Sequence, residues 1–418
     1  MGAFRGTRSA GPSRLHYAWV IVLLGHLNVL SALGLARFGY TMILPSMKEG
    51  LHLTYAEAGW LATGNFVGYL LCSFVAGLLA THWPLRRLLP IALLSLATGL
   101  GVTALATGFP TALAARTVTG LASGAVNIPA MVLPTLWFAP HRRGMAAGIQ
   151  TGGSGLGLIL SGLVIPVIIR HVGPEGWRHS WLFLAGLVAL VWTLTLGLLR
   201  NRPEEVGLHP YGASLASPPL PMAPPRWREV FANPHLWALG AIYACFGFSY
   251  VIYATFFAAY LTKEGGLSPA AAGQLWGLVG ILSLGSGLLW GSLADRMGKK
   301  FGLAIVFGLH TTCFVTFALA RATPAFVTSA MLFGLSAWSI PAIMAAAVGD
   351  YTRTPLVPAA LGFITILFGM GQAAGPPTAG WLADWTLSFS GAFLLAGAVS
   401  LVGCLSSLLM RMPTGPKH

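Results

Sequence analysis

The sequence predicts an all-α membrane protein with twelve transmembrane helices in two pseudo-symmetric six-helix halves. Three observations carry that expectation. Charged residues are only 8% of 418 and hydrophobic residues 56%, with a mean hydropathy of +0.75, and a water-facing surface needs far more charge. Apolar runs of about 20 residues, long enough to cross a bilayer as a helix, recur along the whole chain. Lys and Arg fall on alternate sides of these runs, 17 on one face and 5 on the other, with 2 left inside the membrane.

The spans follow in order, most of them parted by a basic turn. Spans 1 and 2, at 17–45 and 56–80, flank Lys48 on the light face. Arg86 and Arg87 on the heavy face lead to span 3 at 88–108, and span 4 follows at 111–138. Arg142 and Arg143 precede span 5 at 145–170, and Arg170 and Arg178 lie at the turn to span 6 at 178–199. In the second half, span 7 at 234–262 and span 8 at 270–294 flank Lys263. Arg296, Lys299 and Lys300 separate span 8 from span 9 at 301–321, and Arg321 leads to span 10 at 324–349. Arg353 stands before span 11 at 357–383, and span 12 at 389–410 ends at Arg411. Arg5, Arg8 and Arg14 before span 1 and Lys417 at the far end join the heavy face. Basic residues stay cytoplasmic, so both termini are expected there, in a bacterial-type inner membrane.

Residues 200–232 interrupt the pattern with Pro203, Pro210, Pro218, Pro219, Pro221, Pro224 and Pro225, which bar a continuous helix. The expected organisation is a bundle at 1–199, a cytoplasmic linker at 200–232 and a second bundle at 233–418. The net charge of +14 follows from loop topology and does not imply nucleic acid. The basic start runs into a long apolar stretch without a small-residue cleavage site, as a retained first helix does. Cys72, Cys245, Cys313 and Cys404 sit in apolar runs without metal spacing. No Gly-x-x-x-x-Gly-Lys-Ser/Thr loop for ATP is present. No enzyme activity, cofactor or metal site is expected.

The halves echo each other at one loop. Gly291-Ser-Leu-Ala-Asp295-Arg296-Met-Gly298-Lys299-Lys300 joins spans 8 and 9, and Gly77 with Arg86 and Arg87 stands at the matching place in the first half. There Thr81, His82 and Pro84 replace the Asp, Arg and Gly of the second copy. This pattern resembles the loop signature of the major facilitator superfamily of secondary transporters. So do Arg116-x-x-x-Gly120 in span 4 and a span 5 rich in glycine, from Gly148 through Gly152, Gly153, Gly155 and Gly157. With Gly176-Trp177-Arg178 before span 6, the chain is most similar to the monocarboxylate and oxalate–formate branches. The resemblance implies a cytoplasmic gate held by Gly291, Asp295, Arg296, Gly298 and Lys299, with Arg142 and Arg143 between spans 4 and 5. It also implies a functional monomer, and a central cavity lined by spans 1, 4, 7 and 10.

The two basic residues inside the membrane, Arg37 and Arg116, point to a substrate. A charge at the bilayer centre costs about 2.5–3.5 kcal/mol on insertion scales and faces a partner or a wet cavity. All ten acids lie in loops or near helix ends. The simplest missing partner is an anion, which arginine grips in a bidentate fork. His26 with Arg37, and Arg116 with Asn127, stand three helical turns apart and share a face. Gly120 and Ser123 complete a polar stripe on span 4. Span 7 carries Tyr243, Phe246, Tyr250, Tyr253, Phe257 and Tyr260 at offsets of three and four, and span 10 adds Trp338. Aromatic walls with a few polar points are usual for a small-molecule site.

The expected function is alternating-access transport of a small organic anion, with a monocarboxylate favoured. The expected substrate residues are Arg37, Arg116, Asn127, Tyr250, Tyr253, Trp338, Gln150, Gln372, Asn65 and Tyr69. The alternative for Arg116 is a structural tie to backbone carbonyls. His26 and His310 are the candidates for proton coupling, and transport without a proton stays open. The monocarboxylate carriers place their substrate arginine in span 8, where this chain has no charge before Asp295. The anion site has therefore moved to the first half, or the branch differs. Two rivals remain: an efflux antiporter for uncharged amphipathic compounds or sugars, and a sensor built on a transporter fold.

Overall fold

A computed structural model describes residues 16–212, 227–353 and 356–410. Arg5, Arg8, Arg14, Arg226, Arg411, Lys417 and the linker prolines from Pro218 to Pro225 lie outside these residues. The first half runs α1 (Ala18–Gly50), α2 (Tyr55–His82), α3 (Leu85–Ala104), α4 (Phe109–Trp137), α5 (Pro140–Val172) and α6 (Gly176–Leu198). The second half runs α7 (Pro234–Lys263), α8 (Pro269–Ser283 with Ser286–Met297), α9 (Lys299–Leu319), α10 (Thr323–Tyr351), α11 (Val357–Thr386) and α12 (Ser390–Leu409). Helices α5 and α6 form a run of 59 residues, about twice the length of one span. A short 3-10 turn at Gly173–Glu175, opened by Gly173 at φ +81°, divides it. The face carrying Arg86, Arg142, Arg200 and Lys299 is here the basic face, and the other is the far face.

Helix α1 differs most from expectation. It passes through Pro45 and ends at Gly50, and its middle, Leu30–Phe38, is a π-helix. This places Arg37 near mid-span rather than late in the helix. Helix α5 begins at Pro140, where a missing N–H costs nothing, so Arg142 and Arg143 lie in its first turn.

In the first half α2 packs on α4, α3 on α4 and α6, and α5 on α1. In the second α7 packs on α11 and α12, and α9 on α10 and α12. The halves meet along α2–α11, α5–α8 and α1–α7. The glycines of α5 divide by face. Gly153 and Gly157 lie under α1, where a Cβ on either would overlap the backbone of His26 or Gly34. Gly155 and Gly162 lie against Gly280 and Gly273 of α8. A helix squeezed between two others needs such small residues.

Two helices of the second half are broken beside each other. The segments of α8 bend by 44° around Leu284–Gly285, and α10 breaks at Ala337–Trp338. Ser286 joins the breaks: its Oγ accepts from the Trp338 N–H at 3.2 Å, and its carbonyl accepts from Ser339 Oγ at 3.2 Å. Backbone polar groups freed inside a membrane need such partners.

Candidate functional site

Arg37 is the central side chain. Its Nη2 donates to the Tyr250 hydroxyl at 3.0 Å, across the two halves. Its guanidinium lies 4.7 Å from the Phe66 ring centre, 5.6 Å from Phe38 and 5.9 Å from Tyr69. Among the described residues no carboxylate pairs with it. Gln372 Nε2 also donates to the Tyr250 hydroxyl, so the phenol is held from α1 and α11 together. The Tyr250 ring stacks on Phe246 at 4.6 Å and on Phe368 at 6.1 Å. Trp338 meets it edge-on at 6.4 Å and lies 5.3 Å from Phe38. The Trp338 indole N–H is buried and has no partner among the described residues. On the first-half side, Asn127 Nδ2 donates to the Tyr69 hydroxyl at 2.9 Å. The structure thus gathers Arg37, Tyr69, Asn127, Tyr250, Trp338 and Gln372 around one centre, from six helices.

Arg116 borders the same small void as Arg37 and is also bonded to backbone. It is 1% exposed. Its Nη1 donates to the Ala36 carbonyl at 2.8 Å, and its guanidinium lies between Tyr40 at 4.9 Å and Trp181 at 4.8 Å. Ser123, two turns along, donates to the Ala32 carbonyl. Asn65 Nδ2 donates to the Arg116 carbonyl at 3.1 Å. The polar stripe of α4 therefore ties down the π-segment of α1. Arg116 holds the backbone of the residue that precedes Arg37.

The remaining candidates stand apart from Arg37. Gln150 is buried against Gly25 of α1, with neither amide atom bonded to a described residue. His26 Nδ1 meets the Ile149 carbonyl at 2.7 Å. Tyr253 points into the second-half core, with its hydroxyl 3.1 Å from Ser329 Oγ and its ring among Phe314, Phe317 and Phe333. His310 is packed among Phe246, Phe314 and Phe333, with neither ring nitrogen bonded to a described residue.

Residues 29–408 match the sequence family described as "Uncharacterised MFS-type transporter YbfB". The chain belongs to this family of MFS-type transporters. It is 25% identical to the hexuronate transporter of Bacillus subtilis over 411 residues, covering 94% of this chain and 93% of that one. It is 23% identical to monocarboxylate transporter 12 of Xenopus laevis, covering 87% and 83% of the two chains. The fold matches the crystal structure of a bacterial homolog of the human lysosomal transporter Spinster, with a TM-score of 0.78, 14% identity and 95% and 97% of the chains covered. The protein is an integral membrane transporter and not an enzyme.

On the far-face side of Arg37 the transporter is closed. A void of about 20 Å³, room for about one water, lies among Arg37, Arg116, Asn65, Phe66, Thr41 and Ala254. A far-face crevice of about 650 Å³ reaches Met42 and Ala258, within one turn of that void. Between them Thr41 Oγ1 donates to the Ala254 carbonyl. The side-chain hydrogen bonds joining the halves among the described residues, from Arg37, Thr41, Tyr55, Ala56 and Thr63, run from mid-span to the far face.

The basic-face turns are arranged differently. Gly298, between α8 and α9, has φ +94°, a conformation that favours glycine. Lys299 Nζ pairs with Asp350 of α10 at 2.9 Å, inside one half. Asp295 and Arg296 are exposed, and neither makes an ion pair among the described residues. Arg142 stacks on Tyr211 at 4.8 Å, and Arg143 Nε donates to the Phe138 carbonyl at 3.1 Å.

Sequence reasoning did not single out Phe66, Phe38 or Phe368. Phe66 lies one turn from Tyr69 and Phe368 one turn from Gln372, so helical offsets from residues already chosen were the available signal.

Proposed function

We propose that this transporter carries a small organic monoanion, a carboxylate with an apolar or aromatic body, by alternating access of its two halves. Arg37 is the anion anchor. The observation that carries this reading is a mid-span guanidinium facing aromatic rings and one hydroxyl, with no described carboxylate to neutralise it. Arginine has five N–H donors, and Tyr250 occupies one of the forks. The unpartnered Trp338 indole N–H supplies a further donor beside it. Tyr250, fixed by Gln372, orients Arg37, and Tyr69 with Asn127 forms the opposite wall. Arg116 serves as the structural tie. The names of the similar proteins, a hexuronate and a monocarboxylate transporter, support an acid as substrate.

The basic face is the cytoplasmic one by the positive-inside rule, in a bacterial-type inner membrane. The protein works as a monomer, and the Asp295–Arg296 loop closes that face when the site opens to the other side. Neither His26 nor His310 touches Arg37, so a coupled proton travels with the anion rather than on a histidine.

The test uses purified full-length protein. Thermal stabilisation is measured with benzoate, lactate, galacturonate, succinate, glucose and a quaternary amine, followed by uptake into vesicles with and without a pH gradient. A ligand that binds the native state raises its melting temperature. The reading requires stabilisation by benzoate or lactate and uptake of the same compound. Stabilisation by glucose or the amine alone overturns it in favour of export of uncharged or amphipathic compounds.

A further inference from the structure

We infer that Asp384 is the far-face latch of the transport cycle, closing that face by capping the first turn of α2 from the opposite half. This rests on the alternating-access reading above. Asp384 stands near the end of α11. Its Oδ1 accepts from the Tyr55 N–H at 2.9 Å, and its Oδ2 from the Ala56 N–H at 2.8 Å. A helix start leaves such N–H groups without internal partners. The local cap, Thr54, serves only the next one: its Oγ1 accepts from the Glu57 N–H at 3.1 Å. The first turn of α2 is therefore complete only while the two halves are together on the far face.

The same two helices continue the seam at helical spacing. Gly380, one turn before Asp384, lies against Tyr55, and a Cβ there would overlap the Tyr55 carbonyl. Gly59, one turn along α2, meets the Pro376 carbonyl in the same manner. Thr63, a turn further, donates to the Ala373 carbonyl at 2.8 Å. The seam thus has a charged, doubly bonded outer end and small residues behind it.

Both sides of the latch can exchange partners with water. When the far face opens, the carboxylate and the two amides are solvated, so release leaves no buried orphan. A carboxylate at a helix N-terminus also interacts favourably with the helix dipole. The bond is therefore specific in the closed state and dispensable in the open one. Thr41 and Ala254, which line the void beside Arg37 and bond to each other, lie within one turn of Met42 and Ala258, which line the crevice. Loss of the latch is thus expected to reach the site.

The experiment is amide hydrogen exchange on the full chain in lipid nanodiscs, comparing wild type with Asp384→Asn. It needs no ligand, so its outcome is separate from the identity of the substrate. Asn offers one oxygen and one NH2 where the amides need two oxygens. If Asp384 is the latch, exchange rises at least about tenfold at residues 55–57 and also at 41–47 of α1 and 254–262 of α7. It falls at the basic-face ends of α4 and α10 as the population moves. A rise confined to residues 55–57 makes Asp384 a local cap and overturns the inference, as does no change. Gly380→Ala is the independent variant. It wedges the seam while keeping the carboxylate, and it must produce the same redistribution. If Asp384→Asn does not fold, unchanged exchange at 41–47 and 254–262 in Gly380→Ala overturns the inference alone.

Discussion

Replacing Arg37 by Gln should separate binding from stability. In the ligand-free protein the charge costs about 2.5–3.5 kcal/mol for its depth in the membrane. Against this stand the charged hydrogen bond to Tyr250 at 3.0 Å, worth about 1.5–3 kcal/mol, and the contact with Phe66 at 4.7 Å, worth about 0.5–2 kcal/mol. These terms nearly cancel, so the ligand-free variant should melt within a few degrees of wild type. With an anion bound the balance changes. The substrate carboxylate loses its charged partner in a desolvated site, which costs about 2–5 kcal/mol, a factor of roughly 30 to several thousand in Kd. The assay is the melting temperature of both proteins across a benzoate titration, with uptake into vesicles as the second readout. Arg37→Gln should keep the ligand-free midpoint and lose the benzoate-dependent rise. A large fall of the ligand-free midpoint would show that Arg37 holds the fold together. A benzoate response of wild-type size would place the anion elsewhere. Either result refutes the reasoning.

Arg116→Met removes the bond to the Ala36 carbonyl and the charge between Tyr40 and Trp181. It should lower stability by about 2–4 kcal/mol, read as a fall in melting temperature with or without ligand. Trp338→Phe keeps the aromatic wall but deletes the unpartnered N–H. It should weaken benzoate binding by about 1–1.5 kcal/mol, roughly five- to tenfold, at an unchanged ligand-free midpoint. Tyr253→Phe removes the hydroxyl that meets Ser329 and Cys313 in the second-half core. It should cost about 1 kcal/mol of stability and leave the Kd for benzoate as in wild type.

The order of the spans was legible because hydropathy and charge both act over about 20 residues, and breaks in single helices barely disturb either. Local breaks were not legible. Nothing in Leu30–Phe38 announces a π-turn, and the donors that meet its carbonyls, Arg116 and Ser123, come from α4. Span 1 is expected to end at residue 45, yet α1 continues through Pro45 to Gly50. The polar stripe of α4 was visible from spacing alone, but spacing cannot tell whether a stripe faces a cavity or a neighbouring backbone. For Arg116 and Ser123 it faces backbone. For Asn127 it faces the Tyr69 hydroxyl. Tyr253 shows the same limit on α7. The offset of three from Tyr250 turns its ring into the core of its own half.

The π-segment explains how one helix holds a charge in the membrane and keeps it available. The Ala32 and Ala36 carbonyls of the π-segment accept from Ser123 and Arg116 of α4, which gives two buried side chains a hydrogen-bond partner. Within the segment the Gly39 N–H donates to the Gly34 carbonyl, five residues back, at 3.0 Å. Arg116 has a backbone partner at Nη1, while its buried Nε has none among the described residues. Arg37, on the next residue, inherits a fixed backbone but points away from that tie toward Tyr250. On the proposed function the two membrane arginines divide the work, one holding the helix and the other facing the ligand. Movement of the Ala36 carbonyl would also move the Arg37 guanidinium. That coupling is why Arg116→Met should weaken benzoate binding somewhat as well as stability, whereas Tyr253→Phe should affect stability alone.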